Sequence, residues 1–429
     1  MGSDKMTKKC KKLEEIKEMF KDNSIDIDLL STNELQGILE IFRIQKDNRE
    51  QYKVKHKMED IVMITFLALM SNANEWTEIY NFSIHHEEWL KTFLELKNGI
   101  PSHDTIQRVI SILNPQELYN DCLKYIIKKI DDLTHKEENE KDILSMDGKT
   151  SNGSSRSKLT TEEVRPVNTM SIYSHNYGVS LVQDYIDEKS NEIPMGPELI
   201  KKLKLDNCIL TADALNTQKE TVEAIIKAKG DYVLALKKNQ KQFYEDVKDY
   251  FEDEENLKNI EDYFEETEKS HSKIIKRKYY MTNNIQWLHG HKKWKNLKSI
   301  GVEFKTIENI QTGEITQENR YFIISFENNI HDFSDAVRKH WGVENNLHAP
   351  LDIIFLEDKN KTLEKNGAKN LGILRRIVLN ILKFIQCYYN KMSLKLIRFD
   401  ISMDVETGLE KVFKLLNTEQ IKSLLKENT

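Results

Sequence analysis

Three acidic residues stand at the heads or ends of compact phrases: Asp147 in Ser145-Met146-Asp147-Gly148-Lys149-Thr150, Asp213 in Leu210-Thr211-Ala212-Asp213-Ala214-Leu215, and Glu344 in His340-Trp341-Gly342-Val343-Glu344-Asn345. The first two follow short apolar runs, 142–146 and 208–212, that stop at turn or helix-starting residues, so each carboxylate is expected to project from a strand end. The third falls on an expected helix, far along the chain. Carboxylates from two strands and a helix are the hard oxygen donors that Mg²⁺ takes while keeping several waters. Two such ions clamp both sides of an in-line displacement, so the chemistry suggested is two-metal phosphoryl transfer. A single strand-end aspartate is more often a helix cap than a ligand. The case therefore rests on the three together.

The elements that must position them change character along the chain. Residues 8–131 read mostly as helix, with an almost continuous apolar run over 58–70 and a helix start with proline in its first turn at Asn114-Pro115-Gln116-Glu117. Ser102 or His103 opens another helix. A charged stretch at 134–141 without periodicity is read as a linker. Strands follow at 143–146, 167–173 and 179–186, the last two joined as a hairpin through His175-Asn176-Tyr177-Gly178. Helix 192–204, strand 208–212, helix 217–229 ended by Gly230, and strand 232–236 complete a pattern of hairpin first, alternating helices afterwards. That order predicts an α/β fold with a mixed sheet flanked by helices, ligands collecting at the carboxyl ends of its parallel strands. Helix 240–255 and strands at 274–281, 300–307 and 320–326 read as a β-rich insertion, and 335–356 reads as helix again. The expected domains are a helical amino-terminal region (1–135), the first part of the core (140–239), a helix plus β-rich insertion (240–328), a helical completion of the core carrying Glu344 (329–390) and a helical tail (391–429).

With 429 residues the chain is long enough for two to four units and a sizeable core. Cys10, Cys122, Cys208 and Cys387 are scattered without ligand spacing, which supports neither a zinc ribbon nor a disulfide framework. No apolar run approaches a membrane span, and a reducing, cytoplasmic setting is expected. The net charge of -6 argues mildly against nucleic acid. Its distribution argues the other way. From 271 to 298 the chain carries eight Lys and Arg residues and no acid, interleaved with Tyr279, Tyr280, Trp287 and Trp294, directly after the densely acidic run 245–268. The basic run is a candidate nucleic-acid surface; a pair of solvated faces is the plainer reading of both.

The residues as a set resemble bacterial insertion-sequence transposases of the DDE type, the ISAs branch that includes the H-repeat-associated proteins of Rhs elements. The phrases that carry it run in order over nearly the whole chain. They are Gly99-Ile100-Pro101-Ser102-His103-Asp104-Thr105, Met146-Asp147-Gly148-Lys149-Thr150, Glu188-Lys189-Ser190-Asn191-Glu192-Ile193 and Thr211-Ala212-Asp213-Ala214. Then come Gly230-Asp231-Tyr232-Val233-Leu234-Ala235-Leu236-Lys237, Val337-Arg338-Lys339-His340-Trp341-Gly342-Val343-Glu344-Asn345, Leu347-His348, Leu351-Asp352 and Phe355-Leu356-Glu357-Asp358. The resemblance implies an RNase H-like core in which Asp147, Asp213 and Glu344 bind Mg²⁺ or Mn²⁺, as two ions. One ion would activate water or a DNA 3′-hydroxyl and the other would stabilise the leaving oxygen. It further implies cleavage and strand transfer at the ends of an insertion sequence, with transposon-end and target DNA as partners. The working form would be a homodimer or larger synaptic assembly at the nucleoid. A catalytically inactive DNA-binding descendant, and a metal-dependent nuclease without strand transfer, are the alternatives.

Several neighbours carry readings of their own. Lys149 and Arg156 are candidates to reach phosphates near the metals, Arg338 to pair with phosphate or carboxylate, and His271, Lys273 and Arg277 to hold DNA from the insertion. His340, Glu344, His348 and Asp352 fall at four-residue steps and share a helix face, the spacing of a helical zinc or iron site; a polar network steadying the helix is the plainer reading. Trp341 and Leu347 read as core. Three positions depart from the resemblance: Lys238 where glycine is customary, and Ala349 and Pro350 directly after His348. A proline inside a helix costs roughly 3 kcal/mol unless it sits at a start or kink. Either the helix breaks after Glu344 or the copy is damaged.

Overall fold

The computed structural model describes residues 27–133, 141–155, 166–186, 192–270, 272–327, 329–386, 388–389 and 392–427. The chain divides into two compact units, one made of Met1–Glu137, Thr150–Val167 and Leu347–Thr429, the other of Glu138–Lys149 and Asn168–Asn346.

The second unit is built on one mixed sheet. Its strands are β1 (Asp142–Ser151), β2 (Val167–Ser174), β3 (Val179–Ile186), β4 (Cys208–Ala212), β5 (Asp231–Leu236), β6 (Asp262–Ser270), β7 (Lys273–Thr282), β8 (Ser299–Asn309) and β9 (Ile315–Ile324), in the spatial order β3-β2-β1-β4-β5-β9-β8-β7-β6. Strands β1, β4 and β5 are parallel, while β2 and β3 form the expected antiparallel hairpin. This is the helix-flanked mixed sheet that the order of apolar runs predicts. The central strands read as unbroken apolar runs because both of their faces are covered. Leu144, Met146, Leu210, Ala212 and Leu234 pack with Leu199, Val222, Ile225 and Val247 of the helices Glu192–Lys201, Lys219–Lys227 and Lys241–Glu252. Ile143, Ile209, Val233 and Ile324 pack on the opposite face with Phe333, Ala336 and Val337 of the helix Ile330–His340. Gly301 of β8 makes room there, since a β-carbon would stand 2.7 Å from the Phe333 ring.

The β-rich insertion is continuous with the core sheet. Strand β9 pairs antiparallel with β5, and β8, β7 and β6 follow it outward, so the inserted strands prolong the core sheet. Pairing β5 this way leaves no open edge beside the parallel strands. The acidic and basic runs also find each other: Glu265 opposes Lys278 and Glu266 opposes Arg277 across the β6–β7 pair. Opposite charges directly across an antiparallel pair favour that register.

The first unit is helical, as expected for the amino-terminal region. Its helices include Glu34–Arg43, Met58–Met70, Trp76–His85, His103–Ile112, Pro115–Leu133 and Lys365–Gln386. Met58–Met70 is buried on nearly every side, as its continuous apolar run requires. Ser102 caps His103–Ile112 by accepting from Thr105 N, and Asn114 Oδ1 accepts from Gln116 N and Glu117 N ahead of the Pro115 helix. The expected linker lies almost wholly outside the described residues.

The single helix expected over 335–356 is three pieces. Ile330–His340 is α-helical, Glu344–His348 is a π-helical turn, and Ala349–Ile353 is a short α-segment with Pro350 in its first positions. Proline is tolerated in a first turn, where its missing N–H is not called upon. The interruption comes at Trp341, ahead of Glu344, and the segment holding Pro350 follows directly on the π turn, not on a regular α-helical turn.

Candidate active site

The site begins with strand alternation. Residues of β1 and β4 pair in register from Asp142 and Cys208 through Met146 and Ala212. Side chains two apart share a face, so Ile143, Ser145 and Asp147 line up beside Ile209, Thr211 and Asp213. That face is the one covered by the helix Ile330–His340. By that register each aspartate lies one step beyond the last registered pair: Asp213 directly follows the end of β4, as expected, whereas Asp147 is the sixth of the ten residues of β1, which runs on to Ser151 instead of ending there.

Glu344 arrives from the chain segment that follows this helix. Oxygens of Asp147 and Glu344 lie within 4.8 Å of each other, close enough to share a cation. Asp147 is partly buried and Glu344 exposed. Asp147 Oδ1 also accepts from Gly148 N at 2.9 Å. Asp213 is not part of this close group. Its Oδ1 accepts from Asn216 N at 3.1 Å and Asn216 Nδ2 at 2.9 Å, the turn-capping arrangement that strand-end aspartates often adopt. Two hard carboxylate donors at this separation, with a third on the neighbouring strand end, fit Mg²⁺ or Mn²⁺.

Beneath the carboxylates lies a polar network whose members Ser145, Thr211 and His175 the sequence did not single out. Thr211 Oγ1 stands 3.0 Å from His340 Nδ1, 3.1 Å from the Leu144 carbonyl and 3.2 Å from Ser145 Oγ. Ser145 Oγ is in turn 2.8 Å from His175 Nε2 and 3.5 Å from the Lys339 carbonyl. Burial pushes the His340 imidazole down to about 4, against the upward pull of the Asp213 carboxylate, so the ring is neutral at pH 7. His340 is thus engaged with a strand hydroxyl, as the plainer reading of its position expected. One signal was present in the sequence: a hydroxyl residue interrupts each apolar run two places before its aspartate.

Beside Asp213 a cavity of about 430 Å³ opens, bordered by Lys238, Tyr244, Arg320, His340 and Trp341. Trp341 is half exposed, with the Arg320 guanidinium 4.2 Å from its ring centroid. It is therefore not a core residue. It caps the end of the Ile330–His340 helix, where the regular face is lost, whereas Leu347 is buried as expected.

The remaining candidates have mixed surroundings. Lys149 continues β1 two residues past Asp147, and Lys273 is exposed at the start of β7. Arg277 is largely buried and ion-paired, 3.0 Å from Glu268 and 3.5 Å from Glu303. Arg338 pairs with Glu266 and, at 3.1 Å, with Glu268. Of the aromatics interleaved with the basic run, Tyr279 and Trp294 are core, and Trp287 stacks on Tyr250 at 4.8 Å. Arg156 and His271 lie outside the described residues. Among the described residues no helix is long and apolar enough to cross a membrane.

Residues 39–126 match the DDE_Tnp_1-associated family, and residues 138–381 match the transposase DDE domain family. Two Escherichia coli K12 proteins, "Putative protein YbfL" and "H repeat-associated putative transposase YhhI", are each 34% identical over 356 residues, which is 81% of this chain and 91% of either relative. A shorter K12 relative, "Inactive transposase YbfQ", is 42% identical over 78 residues, 18% of this chain and 93% of its own length. Among solved structures, a piggyBac transposase synaptic complex with hairpin DNA covers 97% of this chain and 83% of that chain at 12% identity and a TM-score of 0.36, too low to transfer any residue role. With the DDE domain match extending over more than half of its length, the chain belongs to the family of DDE-domain transposases, alongside the H repeat-associated proteins.

Proposed function

We propose that the protein is a DNA transposase that cleaves and joins the ends of its own element, with Asp147, Asp213 and Glu344 as its reacting carboxylates. The observation that carries this reading is the approach of Asp147 and Glu344 to within 4.8 Å from distant parts of the sequence. Asp213, on the strand end beside Asp147, is the third carboxylate of the set. A divalent ion bound there supplies charge neutralisation at the phosphate and a more acidic water or hydroxyl nucleophile. The carboxylates hold that ion, and the polar network beneath them keeps the strands and the helix in register. Lys149 and Lys273 reach for phosphate oxygens, and the working form is a homodimer or larger assembly on paired DNA ends.

A second reading, a DNA-binding descendant without chemistry, is favoured by the engagement of Asp213 with Asn216. The deciding experiment incubates the purified protein with plasmid DNA carrying the flanks of its own coding sequence, with Mg²⁺ or Mn²⁺. Nicked ends and joined products support the transposase. Binding without nicking supports the descendant, and nicking without joining supports a nuclease.

A further inference from the structure

Three rungs can be read up the face of the sheet that the helix Ile330–His340 covers. At the lowest, Ile143 and Ile209 meet Phe333 and Val337 in one apolar cluster. At the middle, Ser145 and Thr211 face each other across the β1–β4 pair, and His340 reaches Thr211 from the helix. At the highest stand Asp147 and Glu344. Phe333, Val337, His340 and Glu344 follow steps of three or four residues, so the helix and the segment after it track the strands rung by rung.

We infer that Thr211, Ser145, His340 and His175 form a positioning latch that sets where Glu344 stands relative to Asp147 and Asp213. The inference rests on the reading of those carboxylates as the reacting set. Two fixed points support it. The first is the hydrogen bond between His340 Nδ1 and Thr211 Oγ1, one turn before Glu344. The second is Gly342, between them, whose backbone lies so close to His175 that a β-carbon would stand 3.0 Å from Cε1. His175 Nε2 returns to Ser145 Oγ at 2.8 Å, and Ser145 Oγ reaches the last-turn Lys339 carbonyl. Both fixed points therefore end on the same pair of buried strand hydroxyls, two residues ahead of the aspartates. Purely apolar packing could hold the helix against the sheet but would let it slide. Directional bonds fix its register, and displacements of about 1 Å at a reacting centre are known to lower rates on the order of 100-fold.

Thr211→Val removes the hydroxyl at nearly constant volume, and Thr211→Ser keeps it. Both are compared with the unaltered protein for Mn²⁺ affinity without DNA, for DNA affinity, and for single-turnover nicking at saturating Mn²⁺. The latch predicts that Thr211→Val weakens Mn²⁺ binding and slows nicking by about 10-fold or more with DNA affinity unchanged, while Thr211→Ser stays within about 3-fold of the unaltered protein. His340→Asn, whose amide nitrogen can take the place of Nδ1, is expected to retain more of both properties than His340→Leu. Full Mn²⁺ affinity and nicking in Thr211→Val overturns the latch while leaving the carboxylate site standing. Equal impairment in Thr211→Ser and Thr211→Val overturns it too, because packing rather than the hydroxyl would then be responsible. If the unaltered protein binds Mn²⁺ without nicking, the affinities of the two variants decide alone. If it binds no Mn²⁺, the reading of the site fails and takes the latch with it.

Discussion

Gly342 and His175 approach so closely that a β-carbon on Gly342 would lie 3.0 Å from His175 Cε1 and force the ring to give way. Overpacking costs typically about 1–3 kcal/mol, and the His175 ring is tied to Ser145, so it gives way only at a cost. Gly342→Ala is expected to lower stability by about 1 kcal/mol in denaturant melts and to slow nicking by more than that loss explains. Unchanged nicking would mean that the contact does not govern Glu344.

In the helical unit, Arg376 Nη1 lies 3.0 Å from Glu357 Oε1 with both side chains about 4% exposed. Removing one partner of a buried pair leaves the other charge uncompensated, so Arg376→Met is expected to cost about 3–5 kcal/mol. Adding Glu357→Leu should recover much of that loss, as followed by urea titration. A single variant within 1 kcal/mol of the unaltered protein would contradict the pairing.

Asp60 lies in the first turn of a largely apolar helix, and among the described residues its buried Oδ2 has no hydrogen-bond partner. Burial pushes its carboxyl up to about 6, above the ordinary 3.8. The folded state therefore holds this proton more tightly than the unfolded chain, and the stability it confers at acid pH is lost as pH rises from about 4 through 6. Asp60→Asn should raise the melting temperature at pH 8, by an amount equivalent to about 2 kcal/mol, with no gain at pH 4. A gain of equal size at both pH values would show that the charge is not the cause.

The basic run of the insertion separates into two kinds of residue. Lys273→Ala is expected to weaken DNA binding and reduce the salt slope by about one ion, with melting unchanged. Arg277 is held by Glu268 and Glu303. Arg277→Met should instead lower the melting temperature, leaving the salt slope as it was. Reversed outcomes would put Arg277 on the DNA.

Much of this was legible in the residues. Strand and helix order over 142–236 followed from apolar runs broken by Gly and turn residues, and oxygens of Asp147 and Glu344 lie within 4.8 Å of each other. What escaped depended on partners distant in sequence. No local pattern announces that β9 adds to β5, since an edge is completed by whichever strand reaches it. Trp294 and Tyr279, interleaved with the basic run read as a candidate nucleic-acid surface, are buried against Phe243 and Phe333. Pro350 conflicted with a continuous helix over 335–356 because helical periodicity cannot distinguish such a helix from one that is interrupted and passes through a π turn. Asp213 was expected with the other carboxylates and is held by Asn216, three residues on, a local bond that strand alternation does not reveal.

The central claim is that Asp147 and Glu344 share a divalent cation. Calorimetric titration of Mn²⁺ into the unaltered protein, Asp147→Asn and Glu344→Gln tests it without DNA. The account predicts one shared site that is lost in either variant while the circular dichroism spectrum and melting temperature stay as they were. Undiminished Mn²⁺ binding in both variants would contradict it.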